Sequence, residues 1–206
     1  MMNRRSILRI IPAGATLAVV LVSVSRAAET AVDAIKSFYD TLLSVMQQAN
    51  TLGLKGRYEK LDPAIRSTFN LPLMTRLSVG PDWQKLKPEE QTSLIAAFSD
   101  LSVSTYAARF DGYSGEHFEV DPNTAQSSGG VIVSTRLVQS SGEPVQLNYL
   151  MRDGDAGWQI IDVFLQGTIS ELATRRSEFS AVLRRAGAQA LVQLIQSRAA
   201  DLKKPA

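Results

Sequence analysis

Three stretches decide the fold: VIVSTRLV at residues 131–138, VQLNYLM at 145–151 and WQIIDVFL at 158–165. Each is rich in β-branched and aromatic residues and alternates with a period of two, the pattern of a strand. Val131, Val133, Thr135 and Leu137 share one parity, and Ile132, Ser134, Arg136 and Val138 the other. Val145, Leu147, Tyr149 and Met151 alternate with Gln146, Asn148 and Leu150. Trp158, Ile160, Asp162 and Phe164 alternate with Gln159, Ile161, Val163 and Leu165. A shorter run precedes them, with Phe118 and Val120 alternating with His117 and Glu119. Turn-forming residues at 127–130, 140–143 and 153–157 separate the runs. Links this short join antiparallel neighbours. Residues 116–165 therefore predict a four-stranded antiparallel meander.

The pattern is helical on both sides of this block. Ala31, Ile35, Phe38, Leu42, Val45 and Ala49 recur at helical steps, and Gly53 and Gly56 are expected to end that helix. Asp62-Pro63 predicts an N-cap and first turn of a short helix through Phe69. Leu71 to Val79 predicts another, stopped by Gly80-Pro81. Pro88-Glu89-Glu90 opens a longer one with acids at its positive end. After Gly167, Leu172, Phe179, Leu183, Ala186, Leu191 and Ile195 form a stripe, which Gly187 can split in two. The prediction is an α+β domain: helical over 29–110, a sheet over 116–165, helical again over 169–202.

Residues 1–27 have another character. Arg4, Arg5 and Arg9 precede an apolar run of about a dozen residues, short of the ~20 that span a bilayer. Ser25-Arg26-Ala27 then fits a small-x-small cleavage site. This predicts a cleaved export signal over 1–27, a mature domain over 28–206, and a periplasmic location. Arg4-Arg5 also fits a loose twin-arginine pattern, but general secretion is the preferred route.

The signal changes the meaning of the charge. The chain has 206 residues, 45% of them hydrophobic, with 22 lysines and arginines against 20 acids. Four of the arginines and none of the acids lie in 1–27, which leaves the remainder at −2. Nucleic-acid binding thereby loses its main support.

Cysteine is absent and His117 is the only histidine. This excludes disulfides, cysteine-bound metals, a cysteine nucleophile and histidine-pair zinc sites. The chain has no Gly-x-Ser-x-Gly elbow and no Gly-rich phosphate loop opening a helix. Two side chains remain as acid–base candidates. His117 reads as a surface residue. Asp162 sits mid-strand on the parity of Trp158 and Ile160, where a structural hydrogen bond or an arginine partner such as Arg136 or Arg152 accounts for it. No catalytic set emerges, and the reading is a non-enzyme without cofactor or metal.

Both parities of the last three strands carry large apolar side chains. A sheet with one wet face alternates more cleanly. Either helices cover both faces, or one face lines a cavity for an apolar ligand.

Several landmarks follow one another with fixed spacing. They are Ala31-x-x-x-Ile35-x-x-Phe38-Tyr39, Gly80-Pro81-Asp82-Trp83, Leu86-Lys87-Pro88-Glu89-Glu90-Gln91 and Ala96-Ala97-Phe98. Tyr106-Ala107, Tyr113-Ser114-Gly115-Glu116, Trp158-Gln159-Ile160-Ile161-Asp162-Val163 and Arg176-Ser177-Glu178-Phe179 complete the set. In this order they resemble the MlaC, or toluene-tolerance, family of periplasmic lipid carriers, over nearly all of residues 28–206. The segment from Gly167 to Leu172, with Arg175-Arg176, looks most like the hopanoid-associated HpnM branch.

The resemblance implies a carrier that moves phospholipid or hopanoid between inner and outer membranes. Its implied partners are membrane lipid, an inner-membrane ABC transporter and an outer-membrane complex. It also implies an apolar pocket between sheet and helices. The candidate lining is Tyr106 and Phe110 from the long helix and Val133, Leu147, Tyr149, Met151, Ile161 and Val163 from the sheet, with Phe98 and Leu101 as floor. Trp83 reads as packing. Arg175, Arg176, Arg184 and Arg185 read as a solvated basic face, with docking of a partner or of anionic headgroups as the alternative. Two other classes stay open: an enzyme using Asp162 or His117 on a cone-shaped α+β scaffold, and a lipid-free adaptor of a transport complex.

Overall fold

Thr30 opens the first helix with a capping box. Its hydroxyl accepts the Asp33 amide at 3.1 Å, and the Asp33 carboxylate takes the Thr30 amide at 3.2 Å. The computed structural model describes residues 29–204, so the export segment expected over 1–27 lies outside the described residues. Helix α1 runs Ala31–Gln47 and buries one stripe that includes Ile35, Phe38, Leu42 and Val45. Then follow α2 (Ala49–Thr68), α3 (Leu71–Val79), a 3₁₀ turn (Gly80–Lys85) and α4 (Pro88–Arg109). Strands β1 (His117–Ser127), β2 (Gly130–Val138), β3 (Val145–Gly154), β4 (Gly157–Leu165) and β5 (Ile169–Ser170) lead into α5 (Glu171–Leu202).

Two helical expectations are corrected. The first helix ends at Gln47, and Gly53 is a kink inside α2, with φ 58° and ψ −178°. Asp62-Pro63 does not start a helix, because α2 runs through both. The Asp62 carboxylate is held by Arg66 Nε at 2.7 Å one turn on, so it does not cap. Pro63 removes only the hydrogen bond to the exposed Glu59 carbonyl. Gly187 does break α5, with φ 80° and ψ 177°. Sequence patterning missed Arg57. Its buried guanidinium donates to the Ala107 carbonyl at 2.8 Å and the Ala49 carbonyl at 3.3 Å, tying α2 to the end of α4.

The sheet is an antiparallel meander in the order β1-β2-β3-β4-β5, one short strand more than the four expected. Residues Val131, Val133, Thr135, Leu137, Leu147, Tyr149 and Met151 face the helices and are buried. Ile132, Ser134, Val138 and Leu150, on the opposite parity, are only partly buried. Helices therefore pack one face of the sheet.

Strand β4 departs from simple alternation. Leu150 pairs with Asp162, but its neighbour Met151 pairs with Ile160, so Ile161 is an extra bulged residue. Residues paired across an antiparallel ladder share a face. Ile160, Val163 and Leu165 thus all face the helices, with Met151, Tyr149 and Leu147. Asp162 shares the other face with Leu150, so the expected grouping of Asp162 with Ile160 is corrected. Ile161 lies beside Leu150, close to Gly129, and outside the main core.

Candidate functional site

The helix-facing side of the sheet has two different ends. At one end, Met151 pairs with Ile160 and Val131, and Tyr149 with Val133. These residues are sealed: Val133, Met151 and Ile160 are 0% exposed and Tyr149 is 1% exposed. Helix α1 covers them. Tyr39 reaches from α1 to place its hydroxyl 2.5 Å from Thr135 Oγ1 and 3.0 Å from the Tyr149 hydroxyl, while Thr135 donates to the Leu147 carbonyl at 2.5 Å. Burial pushes the Tyr39 phenol up to about 12 and the Tyr149 phenol well above its ordinary value, so both are neutral hydrogen-bonding posts.

At the other end the same face is left open. Leu137, Val145, Leu147, Val163 and Leu165 form one wall of a cavity of ≈ 220 Å³. Helix α4 and its C-cap form the opposite wall with Ser102, Thr105, Tyr106, Arg109 and Phe110. Glu171, Leu172 and Arg175 from the first turns of α5 close one side, and Phe69 and Met74 the other. Val145, 39% exposed, and the exposed Arg109 are wall residues through which the cavity reaches solvent. Ile169, an exposed apolar residue, pairs with the wall residue Leu165.

The void has a local cause in α4. This helix carries six serines and threonines, and every one of them donates to the carbonyl four residues back, including Ser102 to Phe98 (2.8 Å) and Thr105 to Leu101 (2.7 Å). Side chains that satisfy themselves this way present small surfaces with no unmet donor. Ser102 and Thr105 therefore line an apolar cavity where leucines would fill it. Tyr106, one step along the same stripe, joins an aromatic group with Phe38, Phe69 and Phe110 at centroid distances of 5.5 Å each.

Two cations stand in this wall. The side chain of Arg175 is 20% exposed, and its guanidinium lies 5.6 Å from the Phe98 ring centroid. Its nearest acid, Glu171, is 3.4 Å away. Burial holds the Arg175 pKa below its ordinary value, with Glu171 opposing and Arg109 reinforcing the shift.

The sequence-predicted lining divides three ways. Tyr106, Phe110, Leu147 and Val163 are in the cavity wall. Phe98, Leu101, Val133, Tyr149 and Met151 are packed into the core behind it. Ile161 is turned away by the bulge. Leu137 and Val145 share the parity of Leu147, and Ser102, Thr105, Tyr106 and Arg109 share one helical stripe, so periodicity carried the signal for these missed residues. Leu172 was legible as part of the apolar stripe of α5, but nothing marked it or Arg175 as facing the cavity rather than the core.

The other candidates are structural or exposed. His117 is at the sheet edge, 3.8 Å from Glu119. Asp162 accepts the Val163 amide (2.8 Å), the Leu172 amide (3.2 Å) and the Ser170 hydroxyl (2.5 Å), which pins the start of α5 to β4. No arginine pairs with it among the described residues. Trp83 is buried, and its carbonyl accepts Gln91 Nε2 at 3.1 Å. Arg175 is not on a solvated face as expected; Arg176 donates to the Leu77 carbonyl, and Arg184 lies 4.0 Å from Asp82. Among the described residues no cluster of acids or histidine could hold a metal, and no helix is long and apolar enough to cross a membrane.

The family model for the MlaC protein matches residues 36–197. The chain belongs to the MlaC family. No curated protein matches its sequence. The fold is similar to that of a phospholipid-binding protein from Ralstonia solanacearum, solved in complex with a phospholipid. The TM-score is 0.73 at 24% identity, over 86% of this chain and 100% of that one. The MlaC match spans every element of the cavity wall, from Phe69 to Arg175.

Proposed function

We propose that this MlaC-family protein is a lipid carrier that holds the apolar part of a membrane lipid in the cavity between α4, α5 and the sheet. The observation that carries this reading is the cavity itself: an apolar space on the helix-facing side of the sheet, open to solvent, in an MlaC-family chain whose fold is similar to that of a phospholipid-bound protein. Among the described residues no catalytic set competes with it.

The energetics suit a carrier. Each methylene withdrawn from water contributes about 0.8 kcal/mol, so roughly ten of them hold a lipid against escape by ~8 kcal/mol. The same chains are equally dry in a bilayer, so transfer between membrane and cavity is near balance. At ≈ 220 Å³ the cavity is smaller than the about 300–1,000 Å³ common for small-molecule sites. In this reading loading widens it, and the partly exposed Phe110, Val145 and Leu165 are the wall that gives way.

The finer parts of the proposal are export to the periplasm by the segment 1–27 and shuttling between the two membranes with an inner-membrane ABC transporter and an outer-membrane complex. Phospholipid is the first cargo. The likeness of Gly167–Leu172 to the hopanoid-associated HpnM branch makes a hopanoid the second cargo to assay, because this segment supplies Glu171 and Leu172 to the cavity wall.

The test is transfer between vesicles. Purified protein should carry labelled phospholipid from donor to acceptor vesicles, and the lipid should arrive chemically unchanged. A chemically altered lipid would favour the enzyme reading. Protein that takes up no lipid yet binds a transport complex would favour the adaptor.

A further inference from the structure

Most arginines of the sheet and helices have partners. Arg57, Arg152 and Arg176 donate to backbone carbonyls, and Arg66, Arg136 and Arg198 pair with Asp62, Glu119 and Glu178. The exposed Arg76 and Arg185 have no partner among the described residues either, but Arg109 and Arg175 differ from all of these in bordering an apolar cavity. Among the described residues Arg109 has neither a hydrogen bond nor an ion pair. Arg175 has only Glu171, at 3.4 Å, longer than the 2.7–2.9 Å typical of a charge-assisted hydrogen bond and without hydrogen-bond geometry. A guanidinium carries five donors. Here two guanidiniums border one apolar cavity whose lining holds a single carboxylate, Glu171. The hydroxyls of Ser102 and Thr105 donate to their own helix and leave their oxygens as acceptors, so they do not compete for an anion as donors.

We infer that Arg109 and Arg175 form the binding site for the anionic phosphate of an amphiphile whose apolar part occupies the cavity. This rests on the lipid-carrier reading and deepens it. Arg175, half-buried and steadied over Phe98, meets the phosphate at the edge of the apolar space. Arg109, on the exposed edge of α4, meets it from solvent. Glu171 occupies Arg175 while the cavity is empty and gives it up when the phosphate arrives. The chemistry selects a phosphate-bearing lipid over an uncharged hopanoid or glyceride.

Two lipids of equal chain length separate the head from the tail: palmitoyl lysophosphatidylglycerol and monopalmitoylglycerol, titrated into delipidated protein below their critical micelle concentrations. Arg175→Gln and Arg109→Gln should each weaken the phosphate-bearing lipid, by about tenfold for Arg175 and less for the more exposed Arg109. The neutral lipid should be unaffected. Glu171→Gln, which frees Arg175, should tighten the phosphate-bearing lipid several-fold, and this gain cannot arise from misfolding. An equal loss for both lipids in the arginine variants, or no gain in Glu171→Gln, would overturn the inference while leaving the carrier reading intact. Binding of neither lipid by the unaltered protein would overturn the carrier reading itself. Saturable micromolar binding of inorganic phosphate alone would assign the pair to a free anion and also overturn the inference.

Discussion

The two ends of the same sheet face use the same kinds of residue for opposite purposes. Val133, Tyr149, Met151 and Ile160 are closed over by α1. Leu137, Leu147, Val163 and Leu165, on the same strands and the same face, border a void. The sheet does not make this difference; its partners do. Tyr39 closes over the first group with its hydroxyl on Thr135 and Tyr149, whereas Ser102 and Thr105 stand opposite the second with their hydroxyls folded back on their own helix. A binding space here is a place where an apolar sheet meets small, self-satisfied helix residues.

The contrast can be broken most strongly at the sealed end. Met151→Ala should cost about 2–5 kcal/mol, because it opens a void in a packed region, whereas Leu147→Ala should cost about 1–2 kcal/mol, because its side chain already borders one. Urea unfolding of the delipidated proteins measures both, and equal losses would erase the distinction. Ser102→Leu sharpens the contrast from the helix side. It should fill the cavity, raise the stability of the empty protein by about 0.5–2 kcal/mol, and reduce lipid uptake severalfold. A variant that gains stability and keeps its lipid would show that the cavity is not the binding space.

The smallest effect concerns Asp162, which belongs to neither end. Burial raises its carboxyl pKa above the ordinary value, and its three hydrogen bonds oppose the shift. Its contribution is fully present below the unfolded pKa near 3.8 and is lost as pH rises through the raised folded value. Asp162→Asn abolishes that titration. The stability of Asp162→Asn relative to the unaltered protein should therefore rise as pH increases through this acidic window, and unfolding measured at several pH values below 7 checks it. A constant difference would contradict the assigned shift.

How much of this was legible in the sequence depends on the scale of the interaction. Period-two alternation located the strands, because each strand's pattern is set by its own pleat, and the short links between them gave their antiparallel order. Parity also placed Leu147 on the face that the cavity uses. It failed at Ile160-Ile161, since a bulge depends on pairing with β3 and reverses parity without any change in residue type. It failed also at Asp62-Pro63, where Arg66 takes the carboxylate that would have capped a helix. The boundary between core and cavity was not visible in the sheet at all. Phe98, Val133, Tyr149 and Met151 are as apolar as Leu147, and only the arrangement of α1, α4 and α5 decides which of them meets a void. Arg175 was hidden for the same reason: as one of four arginines in α5 between residues 175 and 185, nothing local marks it as the one turned to the cavity.

The central claim is that the open end of the sheet face holds the lipid. The most direct measurement is the lipid-to-protein ratio, by organic extraction and mass spectrometry, of the purified protein and of Val163→Glu, with Ile132→Glu on the opposite face as the matched control. Near-stoichiometric phospholipid is expected in the unaltered protein and in Ile132→Glu, and at least a tenfold drop in a folded Val163→Glu. A folded Val163→Glu that retains its lipid would contradict it.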